Sequence, residues 1–171
     1  KLYSFDGKYE ASGKILNGQM FSKQYSQIWK TNKKQRIVEI SYNDETIKNI
    51  KMIPIEKELP RVDYYKLKNY NDPITSFLNV IFNKSTSPTI DGRRIYILKP
   101  DEKENIIKIS IKKYKNIWAD HKRNDLKYID IFVEKNSIFP TKINIMFKNS
   151  NFKLTKKKFF FSNIQRRRRL H

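Results

Sequence analysis

The chain has 171 residues, with 37 Lys and Arg against 17 Asp and Glu, a formal net charge of +20, and is 38% hydrophobic and 13% aromatic. That length suits one domain able to bury about two-thirds of its unfolded surface, and the apolar content excludes a disordered chain despite the charge. With 4 Gly, 6 Pro and no Cys, collagen-like and low-complexity classes, disulfide frameworks, Cys-ligated zinc and thiol nucleophiles are excluded.

Apolar and polar residues alternate with period two along most of the body, the signature of half-buried strands. Tyr3, Phe5, Tyr9 and Ala11 mark a first strand, interrupted by a bulge or turn at Asp6-Gly7, and Asn17-Gly18 turns the chain. Residues 23–31 follow, with Tyr25, Ile28 and Trp29. Arg36 to Tyr42 places Val38, Ile40 and Tyr42 on one face, and Asn43-Asp44 leads into Thr46 to Ile53, where Ile50 and Met52 share a side. Tight turns between neighbouring segments favour antiparallel pairing.

One helix interrupts the strands. Asp72 is an N-cap residue type and Pro73 stands at the first helical position, where its missing N–H costs nothing. Ile74, Phe77, Leu78, Ile81 and Phe82 then recur at helical spacing as one apolar stripe about ten residues long. So short a helix needs a sheet to cover. The charge-free run from Pro73 to Asn83 is also far shorter than the roughly 20 residues of a membrane-spanning helix.

Strands resume after Asp91-Gly92. Arg94, Tyr96 and Leu98 alternate with Arg93, Ile95 and Ile97, and Asn105 to Ile111, Leu126 to Val133 and Phe139 to Phe147 continue the pattern, the last entered through Pro140. Phe152 to Thr155 adds a short final strand. The expected fold is mainly β (α+β): a curved antiparallel sheet or half-barrel with one short helix on its concave face. Residues 1–155 form that single domain, and 156–171 form a basic tail.

No P-loop, GxGxxG, HExxH, GxSxG or zinc spacing is present. His121 lies in the polar segment Asp120 to Asp125 and His171 ends the tail, positions that suit solvated side chains; Asp44-Glu45 and Asp101-Glu102 read as turn residues. The expectation is a protein without enzymatic activity, metal or cofactor.

Lysine outnumbers arginine about three to one, which an AT-rich coding sequence explains as readily as a polyanionic partner. Position adds information. Lys153, Lys156, Lys157, Lys158, Arg166, Arg167, Arg168 and Arg169 sit in an acid-free ending beside Phe159, Phe160 and Phe161. Such a segment suits an anionic membrane surface, with the Phe side chains entering the interface, or nucleic acid, with bases stacking on the rings. A charged terminus without a partner has the same composition.

Three ordered segments carry a family resemblance: Arg36-Ile37-Val38-Glu39-Ile40-Ser41-Tyr42, Asp72-Pro73-Ile74-Thr75-Ser76-Phe77-Leu78 and Asp91-Gly92-Arg93-Arg94-Ile95-Tyr96. With Phe139-Pro140 before a closing strand, the stretch 34–150 resembles domain-of-unknown-function family 3108, a proteobacterial group. The resemblance implies an exported protein of the periplasm or cell envelope whose signal peptide has been removed. It also implies a sheet similar to the half-barrel of lipoprotein carriers, and no established activity. The chain departs from the pattern by lacking an upstream strand and by carrying Ile90 where Phe is usual.

Within the motifs, Asp72-Pro73 starts the helix and Asp91-Gly92 makes a turn. Arg93 and Arg94 point to opposite faces, and an Arg94 on the helix-covered face requires a carboxylate or carbonyl partner. The first functional expectation is an apolar or lipid-like ligand, or a lipidated partner, held between sheet and helix by Trp29, Ile40, Tyr42, Phe77, Phe82, Tyr96 and Phe132, residues that also suit a solid core. The alternatives are a basic nucleic-acid-binding module and a structural adaptor with a protein partner.

Overall fold

A computed structural model describes residues 5–103, 106–118, 126–135 and 137–156, and within them ten antiparallel strands pair in sequence order. β1 (Phe5–Leu16), β2 (Gln19–Thr31), β3 (Gln35–Asn43) and β4 (Thr46–Ile53) form the first sheet. A 3₁₀ turn at Tyr64–Lys66 and helix α1 (Pro73–Asn83) follow. The second sheet contains β5 (Ser87–Ile90), β6 (Arg94–Lys103), β7 (Ile106–Asn116), β8 (Leu126–Glu134), β9 (Pro140–Phe147) and β10 (Asn151–Thr155). The molecule is mainly β with one short helix, as expected, and its strands divide between two sheets without closing a barrel.

Most turns lie where their residues place them. Asn17 and Gly18 both have positive φ, the geometry of a two-residue hairpin turn that twists with its strands. The first strand differs from expectation: Asp6-Gly7 does not interrupt it, because Gly7 pairs in register with Trp29. The irregularity falls instead at Ser12/Gly13, where a Cβ on Gly13 would sit 2.1 Å from the Phe21 carbonyl oxygen. β5 is an addition, since four residues that include Pro88 leave no readable alternation.

Two apolar clusters make the core. The first joins the sheets: Tyr25, Val38, Ile40, Tyr42, Ile47, Ile50 and Met52 pack with Ile90, Ile117 and Trp118. The second lies under the helix, where Val80 and Ile81 meet Tyr96, Leu98, Ile107, Ile109 and Val133.

The helix does not present the stripe that its sequence suggests. Thr75, Ser76, Asn79, Val80 and Ile81 are its buried residues, Ile74, Phe77 and Leu78 are half-buried, and Phe82 is 57% exposed. The helix packs against β1 and β2 as well as β5 and β6, so two sides are covered and one of them is polar.

Candidate functional site

The polar side of α1 completes an unfinished strand. β3 pairs with β2 only from Gln24 onward, so the preceding residues of β2 have a free edge. Side chains of the helix region fill it. The Met20 backbone N–H donates to Asn79 Oδ1 at 2.8 Å, Asn79 Nδ2 returns a bond to the Met20 carbonyl at 2.7 Å, and the Ser22 N–H donates to Asn71 Oδ1 at 2.9 Å. Asn71 also holds the other sheet, donating its N–H to the Pro88 carbonyl and accepting from the Ile90 N–H.

Asp72, fully buried, is satisfied on both carboxylate oxygens. Oδ1 accepts from the Ile74 and Thr75 backbone N–H groups as an N-cap does, while Oδ2 accepts from the Ser22 and Thr75 hydroxyls at 2.6 Å each. A buried carboxylate with four donors is a rigid joint, and it fixes the helix start to β2. Tyr42 lies among these groups with its hydroxyl buried and in no well-formed hydrogen bond, the Ser22 hydroxyl reaching it only weakly. Burial first, then nearby carboxylates, raise the pKa values of Tyr25 and Tyr42 well above the ordinary phenol value.

The Asp91-Gly92-Arg93-Arg94 turn is a second built feature. Asp91 Oδ1 accepts from the Arg93 and Arg94 N–H groups at 2.9 and 2.7 Å, and the Trp118 indole donates to the Gly92 carbonyl at 3.0 Å. Gly92 has φ +83° and presses on β3, where a Cβ would fall 2.4 Å from Val38 Cγ1. No other residue type fits both constraints without a shift. The turn sends its arginines apart. Arg94 faces the Tyr114 ring and pairs with Asp91 at 3.4 Å, the carboxylate partner its position demands. Arg93 lines a small cleft with Gln27, Trp29, Arg36 and Val38. Burial, then the Arg36 guanidinium, lower the Arg93 pKa, opposed by Glu56 and Asp91.

The third feature is an apolar sheet face that the helix leaves partly open. Ile109, fully buried beneath the helix, stands directly opposite Ile131, which is opposite Ile143, which is opposite Leu154. Directly paired residues share a face, so all four point to the helix side. Along the row the residues pass from buried through half-buried to Leu154, 56% exposed. Ile129, Ile145 and Phe152 form the next row on the same face, and Phe147 meets Phe152 edge-on with ring centroids 6.1 Å apart.

The seven residues expected to line one ligand site do not converge. Ile40 and Tyr42 belong to the first cluster, and Phe77 and Tyr96 to the second. Phe82 faces solvent because the helix turns its polar side to β2. Trp29 lies under the Arg36 guanidinium at 5.9 Å. Phe132 pairs with Lys108 and Lys142 on the side of the sheet away from the helix, with the Lys142 ammonium 5.3 Å from its ring. Of the tail, Lys156 continues β10, donating its N–H to the Thr141 carbonyl, with its ammonium 5.9 Å from the Phe139 ring. Lys157, Lys158 and Arg166 to Arg169 lie outside the described residues, as does His121. Ser22, Asn71, Asn79 and the Ile129–Leu154 face were not singled out from sequence; the inward isoleucines of β8 and β9 were their available signal.

Among the described residues no helix is long and apolar enough to cross a membrane, and no group of three or more His, Asp or Glu side chains gathers as a metal would require. Comparisons with family models, with curated proteins and with solved structures give no match.

Proposed function

We propose that the protein binds the acyl chain of a lipid or of a lipidated partner, without turning it over, on the open half of the second sheet beside the helix. The observation that carries this reading is the row Ile109–Ile131–Ile143–Leu154, which begins in the core and ends in solvent. A sheet that needed only its own core would switch to polar residues once past the helix. Here the apolar pattern runs on through Ile145, Phe147 and Phe152 to the edge strand. Contiguous exposed apolar surface of this kind marks a binding face. The fixed helix acts as a wall in this reading, since Asp72, Asn71 and Asn79 tie it to β2. An exported, envelope location belongs to the proposal and rests on the resemblance of the three motifs.

Two measurements test it. Organic extraction of the purified full chain followed by mass spectrometry should release an acyl-chain compound, and a fluorescent long-chain fatty acid should bind the extracted protein. Replacing Leu154 by Glu puts a charge on the face at a side chain the fold already exposes. It should weaken the fatty acid by about tenfold, the loss of one apolar anchor worth about 1.5 kcal/mol. A chain that carries no lipid and binds the probe no better than its Leu154→Glu variant overturns the reading. A diacylated peptide and a free fatty acid offered in parallel separate the two sources of the chain.

A further inference from the structure

The chain meets most of its need for positive charge with lysine, yet its few described arginines, Arg36, Arg61, Arg93 and Arg94, are not scattered. Arg36 and Arg93 line one cleft of about 140 Å³ together with Gln27, Trp29 and Val38, and the charge of Arg94 reaches Arg93. Codon bias toward lysine does not account for this grouping.

The placement is enforced. Gly92 is pressed against Val38, Asp91 caps the backbone of both following residues, and the Trp118 indole holds the Gly92 carbonyl, so Arg93 leaves the turn toward β3. Arg36 comes to the same place from β3 and lies over the Trp29 ring, where its stem and planar head are supported. The acids that reach Arg93 are Glu56 and Asp91, and Asp91 is already engaged by two backbone N–H groups and by Arg94. At Arg93 the charge of Arg36 still outweighs that of either acid. Bringing like charges together beside a partly closed cleft costs Coulomb and desolvation energy that an anion in the cleft would offset.

We propose that this cleft binds an oxyanion of the phosphate class, gripped by the Arg36 and Arg93 guanidiniums, with the Gln27 amide as a further donor and Trp29 as its wall. Guanidinium forks match the paired oxygens of such a group, which lysine does not. The cleft is smaller than the roughly 300 Å³ from which sites for whole small molecules begin, so it suits a single phosphate group and not a nucleotide. The group is either a free phosphomonoester or a lipid headgroup. This inference rests on the arginine cluster and stands apart from the acyl-chain reading, and either can fail alone.

Titration of the full chain with inorganic phosphate, at ionic strength held constant with chloride, tests it through the Trp29 indole N–H resonance, identified by its loss in Trp29→Phe. The expected result is a saturable shift with phosphate and none with chloride. Arg36→Gln, at an exposed position, should weaken binding about tenfold, and Lys51→Gln on the opposite face of the sheet should leave it unchanged. Arg93→Gln should abolish the shift if it folds; Arg36→Gln keeps the test decisive if it does not. Glycerol phosphate and phosphatidylcholine vesicles containing phosphatidic acid then separate the sources, with Arg36-dependent binding required of whichever binds. A shift equal in chloride, or unchanged by Arg36→Gln, overturns the proposal.

Discussion

At the scale of single residues, two buried oxygen-bearing groups near the helix start behave in opposite ways. Asp72 has four donors and its burial is matched by hydrogen bonds. Tyr42 brings a hydroxyl into the same region and finds only a weak contact with Ser22 for it. A buried hydroxyl so poorly bonded leaves most of a desolvation cost of about 1–3 kcal/mol unmet, so its removal is one of the few deletions expected to help. Tyr42→Phe should therefore raise stability by about 1 kcal/mol in urea unfolding at neutral pH. Tyr42 and Tyr25 also have folded-state pKa values raised by burial above the ordinary value of 10.0. The folded state holds those protons more tightly than the unfolded chain does. Their contribution is complete below about pH 10 and is lost as pH climbs from there toward the raised folded values. The urea midpoint should fall as pH rises from about 10 to 12, and the fall should be shallower in Tyr42→Phe. A destabilised Tyr42→Phe would show that the Ser22 contact outweighs the burial of the hydroxyl.

At the scale of elements, the strands and the helix were legible, but the side that the helix buries was not. Period-two alternation located β3, β4, β8 and β9 to within a residue or two, because each packs against the core and the pattern records it; β10, exposed along its whole length, was placed as closely. Division into two sheets depends on where β4 ends and β5 begins, which alternation does not record. For α1, Asp72 and Pro73 fixed the start, but the apolar stripe misplaced the buried side. Hydropathy counts Thr75, Ser76 and Asn79 as solvent-facing, whereas β2 supplies backbone groups that only polar side chains can satisfy. The same blindness hid the arginine cleft, since Arg36 and Arg93 come together through a tertiary contact at Gly92. Asn79 tests the reading of the helix. Asn79→Ala would leave the Met20 N–H and carbonyl without partners and should cost about 2 kcal/mol in urea unfolding. It should also speed hydrogen exchange of the Met20 amide, while amides of β8 and β9 change only through global stability. Asn79→Leu, the change that hydropathy alone would favour, should be no better.

For the molecule as a whole, the question is what a net charge of +20 does to a fold in which many of the described ion pairs are exposed. Pairs such as Lys8–Glu10, Lys14–Asp44, Lys51–Glu39 and Lys66–Asp63 join side chains that are all about half or more exposed. Exposed pairs of this kind contribute roughly 0–1 kcal/mol each and act over a few ångströms. Repulsion among the excess lysines acts over the screening length, about 30 Å at 10 mM salt and about 8 Å at 150 mM. At low salt it spans the domain and at physiological salt it does not. Added salt therefore removes more repulsion than attraction, and the melting temperature should rise by about 2–4 °C between 10 and 150 mM sodium chloride, equivalent to about 1 kcal/mol for a chain of this size. A fall would mean that the surface pairs outweigh the net charge. The same titration bears on function: acyl-chain binding at the Ile129–Leu154 face draws on burial and should persist at 500 mM salt. Attraction of the whole cationic body to a polyanion would instead fall steeply with log salt, at about one power for each phosphate neutralised.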